Sequence, residues 1–324
     1  MPLRILAAWL LVLSPAADAF DLQGHRGARG LAPENTLPAF ATALAMGVTT
    51  LELDTAITKD GVMVIGHDSA LNPDIVRGPD GRWLERKGPP IHELTYSELR
   101  KYDIGRINPA SEYAKRHPDQ RPVDGTRYAC LSELFALVRK ARDPYVRFNI
   151  ETKTSPEAPG ETASPEAFTR QLIAEIRWAR MSSRVTIQSF DWRTLAIAQR
   201  EAPDIPTVYL SIQQTTLDTI GTQTGESPWT GNVRYRDYGS VPKMVKAAGG
   251  KVWSPFFRDL DEASLAEAHD LGLAVVVWTV NEPEQIARMM DLGVDGIISD
   301  RPDRVREEMR KGGMPMPKGT TVKP

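Results

Sequence analysis

Hydrophobic residues recur along most of this chain in short runs, separated by longer stretches in which apolar and polar positions alternate at helical spacing. Several of the runs are continuously apolar, which is typical of strands covered on both faces. The alternation predicts a protein built from helices and a mainly parallel sheet. The candidate strands are Leu22–Gly24, Thr50–Asp54, Val62–Ile65, Val146–Glu151, Val185–Gln188, Thr207–Leu210, Lys251–Ser254, Ala274–Thr279 and Gly296–Ser299.

The helical stretches carry boundary signals. One stretch, Pro38–Met46, stops at Gly47, and another begins with Asn281 and Glu284 as a capping box and stops at Gly293. Repeated strand–helix units over this length favour a (β/α)8 TIM-type barrel over an open doubly wound sheet. The charged site candidates described below follow strand ends, where barrels of this kind carry their chemistry.

Nine candidate strands are one more than such a barrel needs, and the spacing after the second strand explains the excess. Only seven residues lie between Asp54 and Val62, fewer than a parallel crossover requires. Lys59-Asp60-Gly61 is instead a hairpin turn signal. The register set by this turn places His67 opposite Leu53, beside two carboxylates. A one-residue slip would move His67 to the other face.

Composition and charge exclude several classes of protein without choosing a function. The chain has 324 residues, with 40 basic and 42 acidic side chains and a net charge of −2, so no strong field attracts nucleic acid or an anionic membrane. Cys130 is the only cysteine, which excludes an intrachain disulfide. We therefore expect a globular protein without a nucleic-acid partner.

The first residues have the layout of a secretory signal peptide. Arg4 is the only charge before the apolar run Ile5–Leu13, and Ala17-Asp18-Ala19 supplies small residues for cleavage near Ala19. The run is shorter than the roughly 20 residues of a spanning helix, so no stable membrane insertion is expected and the mature chain should be periplasmic or secreted. The expected organisation is a signal peptide at 1–19, a barrel domain at 20–310 and a disordered tail at 311–324.

The most concentrated chemistry lies near the start of the chain. Histidine is scarce, with five copies, and His25 and His67 both lie near carboxylates. Glu52 and Asp54 are two positions apart on a candidate strand, so their side chains leave the same face. Like charges held so close favour a cation between them, and Ca²⁺ or Mg²⁺ takes oxygen ligands. Because imidazoles also move protons near neutral pH, the group indicates a metal-assisted hydrolase.

A second charged pair has the same spacing at the end of another strand. Glu151 can complete an oxygen-ligand set, and Lys153 can face a bound anion. Zinc is not favoured, since no cysteine or clustered histidine ligands of zinc-type spacing occur. The alternative for these acidic residues is a buried structural ion pair. Whether Gln188, at the end of the next strand, reaches the same pocket stays open.

A set of short motifs occurs in order along the chain. The motifs are Gly24-His25-Arg26-Gly27, Pro33-Glu34-Asn35-Thr36, Glu52-x-Asp54, Thr58-Lys59-Asp60-Gly61, His67-Asp68, Glu151-x-Lys153, Trp278-Thr279-Val280-Asn281 and Asp295-Gly296-Ile297-Ile298-Ser299-Asp300. The series resembles the glycerophosphodiester phosphodiesterase family from about residue 21 to residue 310. The resemblance implies a phosphatidylinositol-phospholipase-C-like (β/α)8 barrel, one divalent cation (Ca²⁺ or Mg²⁺), and hydrolysis of small glycerophosphodiesters to sn-glycerol 3-phosphate and an alcohol.

The resemblance also implies roles for individual residues. The implied acid/base pair is His25 and His67, without an assignment of which is acid and which is base. The implied metal ligands are Glu52, Asp54 and Glu151. The implied substrate-binding residues are Arg26 and Lys153 at the phosphate and Trp278 as an aromatic lining, although Trp278 can equally be a packed barrel residue.

The chain departs from the family pattern at Tyr128-Ala129-Cys130-Leu131, where the family more often has Pro-Thr-Leu, and in two longer segments. Two other functions also stay in consideration. Ser155–Pro165 and Ser211–Gly239 are longer and more irregular than in a minimal member and bear on which head group fits. The alternative enzyme is a phospholipase of the C or D type acting on intact lipid, which Pro228-Trp229 and Pro255-Phe256-Phe257 keep in consideration. A third alternative, a non-catalytic secreted binding module, would not need both histidines and the full acidic set.

Overall fold

The computed structural model describes residues 20–324, and its centre is a closed ring of parallel strands. The strands are β1 (Asp21–Gly24), β2 (Thr50–Ile57), β3 (Met63–Ile65), β4 (Arg147–Thr152), β5 (Val185–Ser189), β6 (Thr207–Ser211), β7 (Gln213–Gln214), β8 (Leu217–Asp218), β9 (Val252–Pro255), β10 (Ala274–Val277) and β11 (Gly296–Ser299). The ring runs β1, β2, β4, β5, β6, β9, β10, β11, and β1 closes it by pairing with both β2 and β11. The predicted signal peptide, residues 1–19, lies outside the described residues.

Helices on the outside of the ring connect its strands, which confirms the predicted (β/α)8 barrel. They are α1 (Leu37–Met46), α2 (Tyr96–Leu99), α3 (Glu112–Arg116), α4 (Leu131–Ala141), α5 (Pro165–Trp178), α6 (Trp192–Glu201), α7 (Tyr235–Tyr238), α8 (Val241–Ala247), α9 (Glu262–Asp270), α10 (Pro283–Leu292) and α11 (Pro302–Lys311). Short 3₁₀ turns occupy Ile91–Glu93, Ser182–Arg184, Pro228–Thr230 and Phe257–Asp259. Among residues 20–324, no helix has the length and apolar character needed to cross a membrane.

The extra strand is the second arm of the predicted hairpin. β3 pairs antiparallel with the end of β2, with Thr55 facing Ile65 and Ile57 facing Met63. This is the register expected from the turn. Gly61 has a φ of +79° there, a conformation that a residue without a Cβ adopts at little cost.

Alternation along β2 and β4 separates apolar side chains on one face from polar side chains on the other. Leu51, Leu53, Phe148 and Ile150 are fully buried in the main hydrophobic core. The residues between them face the other side of the sheet, because successive strand side chains alternate. There Asn149 Nδ2 donates to Gln23 Oε1 at 2.9 Å and to Gln188 Oε1 at 2.8 Å. These bonds satisfy buried polar groups that would otherwise destabilise the barrel.

Helix boundaries agree with the sequence except at one capping residue. α1 ends at Met46 with Gly47 at a φ of +84°, and α10 ends before Gly293 at a φ of +97°, both as predicted. The predicted Asn281 cap is wrong, because α10 begins at Pro283 with Glu282 in the N-cap position. The proline ring fixes the first helical residue one position later than a cap at Asn281 would allow.

Residues 66–130, between β3 and α4, form an insertion that the sequence analysis does not set apart. Val76, Ile91, Leu99, Ile104 and Tyr128 are buried in a separate small apolar cluster. The insertion carries α2 and α3 and lies beside the hairpin. It therefore brings side chains from outside the barrel to the carboxyl ends of the strands.

The chain continues after α11 without helix or strand. Thr320 N donates to Leu44 O at 2.8 Å, and Lys140 Nζ donates to Lys323 O at 2.8 Å. These bonds attach residues 312–324, part of the segment for which the sequence predicts disorder, to α1 and α4.

Candidate active site

Three carboxylates meet at the carboxyl end of the barrel. Glu52 and Asp54 lie on β2, and Glu151 lies on the neighbouring strand β4 as the register partner of Asp54. All three are buried, and one oxygen of each lies within 4.8 Å of the others. The two-residue strand period and the parallel register thus bring together the three acids named from the sequence as metal ligands.

Neighbouring donors hold two of these carboxylates. Glu52 accepts hydrogen bonds from the backbone N–H of Arg26 at 2.8 Å and from Gln188 Nε2 at 2.6 Å. Asn35 Nδ2 donates to Asp54 Oδ2 at 2.9 Å. Gln188 therefore does reach the site, as a support for Glu52.

The electrostatics of the cluster favour a cation. Burial, and then the charge of Asp54, raises the pKa of Glu52 well above its ordinary value. Burial raises the pKa of Glu151 to about 7, although Lys153 Nζ lies 3.0 Å from its Oε1. Burial opposes ionisation of Asp54, but Arg26 and other cationic neighbours outweigh it and hold its pKa well below the ordinary value. A divalent cation would favour the ionised form of Glu52 and Glu151 and so oppose the rise of both pKa values.

The donor set fits a hard divalent cation. It offers carboxylate oxygens only, which Ca²⁺ and Mg²⁺ prefer. Within residues 20–324, no other group of three or more acidic, histidine or cysteine side chains converges in this way.

His25 follows β1 and is held by a carboxylate that follows the last strand of the ring. Its Nδ1 lies 2.6 Å from Oδ1 of the buried Asp300. Asp300 also accepts two hydrogen bonds from Arg29, at 2.7 and 2.9 Å, and one from Asn281 Nδ2 at 2.8 Å. The other ring nitrogen, Nε2, lies 3.9 Å from Glu52 Oε2. Burial, and then the charge of Arg29, lowers the pKa of His25 to about 4, so its ring is neutral at pH 7.

His67 approaches the same cavity from the hairpin. Gly66 N donates to Asp54 O at 3.0 Å, so the antiparallel pairing continues beyond β3 and carries His67 to the carboxylates. His67 Nδ1 lies 2.9 Å from Asp68 Oδ1, and Asn72 Nδ2 donates to the other oxygen of Asp68 at 2.8 Å. Burial also lowers the pKa of His67.

Arg26 is surrounded by acidic partners. Its Nη1 donates to Glu34 Oε1 at 2.5 Å, and its Nε lies 3.1 Å from Asp54 Oδ2 without a hydrogen-bond geometry. Glu34 accepts another hydrogen bond from the hydroxyl of Tyr113, a residue of α3. That hydroxyl accepts from Arg29 Nη1 at 3.2 Å. A continuous chain of polar contacts thus joins Arg29, through Tyr113, Glu34 and Arg26, to Asp54 of the carboxylate cluster.

One wall of the cavity is apolar. Trp278 follows β10 and Phe190 follows β5, and their ring centroids lie 5.2 Å apart at an angle of 85°. The indole N–H of Trp278 donates to Ser254 O at 2.9 Å. The cavity has a volume of about 180 Å³, and Trp278 both packs and lines it.

Comparison with known proteins agrees with this geometry. The model of the Glycerophosphoryl diester phosphodiesterase family matches residues 25–304. This chain belongs to that family. A glycerophosphodiester phosphodiesterase of Caldanaerobacter subterraneus subsp. tengcongensis is 28% identical over 289 residues, which cover 89% of this chain and 97% of the relative.

Solved structures of the glycerophosphoryl diester phosphodiesterase family share the fold. A provisionally named glycerophosphoryl diester phosphodiesterase of Silicibacter pomeroyi has 38% identity and a TM-score of 0.82, covering 91% of this chain and 95% of its own. A phosphodiesterase of Oleispira antarctica, solved with the product sn-glycerol-3-phosphate, has 18% identity and a TM-score of 0.65, covering 90% and 96%. Membership of this family makes the protein a phosphodiester hydrolase.

All of the site residues named from the sequence line the one cavity. They are His25, Arg26, Glu52, Asp54, His67, Glu151, Lys153 and Trp278. The family motifs thus converge in space, while the individual roles stay predictions.

Several residues that complete the site were not predicted from the sequence. Asp300 is the last residue of one of the motifs. Its position directly after the last strand of the ring could have identified it as a site residue. Asn281, expected as a helix cap, instead binds Asp300. Arg29 and Phe190 gave no comparable signal in the sequence.

Proposed function

We propose that this protein hydrolyses glycerophosphodiesters to sn-glycerol 3-phosphate and an alcohol, using one divalent cation and two histidines. The observation that carries the proposal is the convergence of His25, His67 and the three buried carboxylates on one cavity. The product bound by the Oleispira antarctica phosphodiesterase supports the same product here.

Positive charge for the phosphodiester comes from two side chains and the proposed cation. Lys153 lines the cavity, and Arg26 presents a buried Nε–H without a hydrogen-bond acceptor among the described residues. Glu52, Asp54 and Glu151 would hold Ca²⁺ or Mg²⁺. When bound, the cation supplies a Lewis acid that offsets charge on the phosphoryl oxygens.

The two histidines divide the proton transfers. Nδ1 of each ring faces an aspartate, which leaves Nε2 to exchange a proton with substrate. One histidine accepts the proton of the attacking hydroxyl as its oxygen bonds to phosphorus. The other, which must carry a proton on Nε2 when substrate is bound, gives that proton to the alcohol oxygen as the phosphorus–oxygen bond breaks. The attacking oxygen belongs either to water or to the neighbouring glycerol hydroxyl, and the second route forms a cyclic phosphate that water then opens.

Product analysis tests the reaction. Phosphorus NMR of glycerophosphocholine incubated with the purified protein should show sn-glycerol 3-phosphate, and choline should be released in equal amount. Exhaustive chelation should stop the reaction, and Ca²⁺ or Mg²⁺ should restore it. Full turnover after chelation would overturn the metal requirement.

The same assay separates the alternatives. Release of phosphocholine would contradict the proposed bond cleavage, and faster turnover of lecithin than of glycerophosphocholine would favour a phospholipase. Turnover of neither substrate, with or without cation, would favour a binding module.

We also propose that the chain is exported and begins near Phe20 after cleavage. The support is the charge, apolar run and small residues of the first nineteen positions. N-terminal sequencing of the protein from the native host should find this start in the periplasm or the medium. Intact protein that retains Met1 in the cytoplasm would exclude export.

A further inference from the structure

The two irregular segments predicted to affect the head group meet beside Phe190, a residue of the aromatic cavity wall. Trp229, from the segment between β8 and α7, lies 6.5 Å from Phe190 between ring centroids, at an angle of 78°. On its other side Phe190 contacts Trp278, which stands at 85° to it. The Phe190 ring therefore stands nearly perpendicular to both tryptophan rings and connects Trp229 to the cavity wall.

A carboxylate completes this cluster. The indole N–H of Trp229 donates to Oε1 of Glu157, which lies in the segment between β4 and α5, at 3.1 Å. Glu157 is exposed, and no lysine, arginine or histidine of residues 20–324 lies within ion-pair distance of it. Its segment is fixed nearby, because Ser69 Oγ donates to Glu161 Oε2 at 2.5 Å. Glu157 thus offers an uncompensated negative charge beside the aromatic cluster.

Cations interact favourably with such rings. A cation near an aromatic ring is attracted by the negative face of the ring, and quaternary ammonium groups are commonly recognised in this way. Phe190 already has one cationic neighbour, since Lys153 Nζ lies 5.9 Å from its ring centroid on the phosphate side. Trp229 has no such cationic neighbour over its ring among the described residues.

We propose that Phe190, Trp229 and Glu157 form a subsite for the positively charged alcohol of the substrate, a quaternary or primary ammonium group. The inference rests on the proposed function, because the subsite would bind the leaving alcohol while Arg26 and Lys153 bind the phosphate. Neutral diesters such as glycerophosphoglycerol would bind without this contribution.

The test compares two substrates in matched variants. Trp229→Leu should lower the ratio of kcat/KM for glycerophosphocholine to kcat/KM for glycerophosphoglycerol by about tenfold, since a partly desolvated cation–π contact is lost. Glu157→Gln should lower the same ratio by about threefold through KM, and less at high salt. Trp229→Phe keeps an aromatic face and should retain most of the preference.

Matched controls lie at the opposite end of the barrel. Trp178→Leu and Glu175→Gln alter the last turn of α5, where Trp178 is 77% exposed. They should leave the ratio unchanged. An unchanged ratio in Trp229→Leu would overturn the subsite, and this includes the case in which kcat/KM falls equally for both substrates.

A binding measurement keeps the proposal independent of turnover. Choline chloride should quench tryptophan emission of the full-length protein in a saturable way, and Trp229→Leu should abolish this saturable part. Saturable quenching without any hydrolysis would support the subsite while the proposed function fails. Hydrolysis without saturable quenching, together with an unchanged substrate ratio in the variants, would overturn the subsite alone.

Discussion

His25 and His67 line one cavity, yet different parts of the protein hold them. The side chain of His25 is 12% exposed, and its aspartate is buried and bound by Arg29 and Asn281. The side chain of His67 is 33% exposed, and its aspartate, the next residue in the chain, is 35% exposed. Barrel closure between β1 and β11 therefore positions the first histidine, whereas a local hairpin positions the second.

The difference indicates that two residues can be equally required for turnover and still contribute unequally to the stability of the folded protein. Both imidazoles are expected to be required for turnover. Only the contacts of His25 are also part of a buried charged network, so changes on that side should cost stability as well. Changes on the His67 side should leave the folded protein nearly as stable as before, because exposed charge pairs contribute little.

The largest expected effect comes from removing either histidine. His25→Ala and His67→Ala should each lower kcat by about 10²–10⁴-fold, because each removes a proton-transfer group. The double variant should lose less than the product of the two, since both groups serve one reaction. Turnover and Tm measured on all three variants check this. Near-wild-type turnover in either folded single variant would remove that histidine from the mechanism.

The two aspartates sharpen the comparison. Asp300→Asn should lower kcat roughly tenfold or more and should also lower the free energy of unfolding by about 3 kcal/mol, because Arg29 loses its buried counter-charge. Asp68→Asn should lower kcat less and change the free energy of unfolding by less than about 1 kcal/mol. Urea unfolding and kinetics on the pair provide the measurement. Equal destabilisation by both substitutions would contradict the unequal contributions of the two aspartates to stability.

Tyr113 tests whether the His25 side is coupled to the carboxylate cluster. Tyr113→Phe removes the hydroxyl that bridges Arg29 and Glu34 but keeps the ring that packs on His117 at 4.7 Å. We expect kcat to fall by about three- to tenfold with little change in KM, since one hydrogen-bonded link is lost.

The control for Tyr113 lies in the same insertion. Tyr96 donates to Glu133 Oε2 at 2.8 Å and does not line the cavity. Tyr96→Phe should reduce stability by about 1 kcal/mol and leave kcat unchanged. Similar loss of kcat in both variants would show that Tyr113 acts only through general stability.

The smallest expected effect is a shift in Tm that depends on the carboxylate cluster of Glu52, Asp54 and Glu151. In the metal-free protein the pKa of Glu151 is raised to about 7, so the folded state binds a proton that the unfolded state has lost above its ordinary pKa. This contribution to stability is full below the unfolded pKa and is lost as the pH rises through 7. A cation needs the ionised carboxylates, so saturating Ca²⁺ should raise Tm by about 5 °C at pH 8 and by less at pH 5.

Two substitutions serve as controls for the cation. Glu151→Gln should largely remove the rise in Tm at pH 8. Glu175→Gln, far from the cluster, should retain it. A rise in Tm that is equal at both pH values would argue against binding by these carboxylates.

Much of the site could be predicted because its determinants are local. The turn at Gly61 sets the hairpin register, and that register carries His67 to Glu52 and Asp54. The spacing of Glu52 and Asp54 puts both on one face of β2. The ordered motifs supplied Arg26, Glu151 and Lys153, which line the same cavity. The insertion at 66–130 was not anticipated, because its short elements have weak periodicity.

By itself the sequence determined which residues share a strand face and how the hairpin folds, since strand alternation and turn geometry act over a few residues. Only the tertiary structure decided that Asp300 binds His25 across 275 positions and that Tyr113 reaches Glu34 across 79. The tertiary structure also shows that Asn281, expected as a helix cap, donates a hydrogen bond to Asp300 instead. These contacts depend on ring closure and on the packing of the insertion, which bring together residues that no local spacing relates.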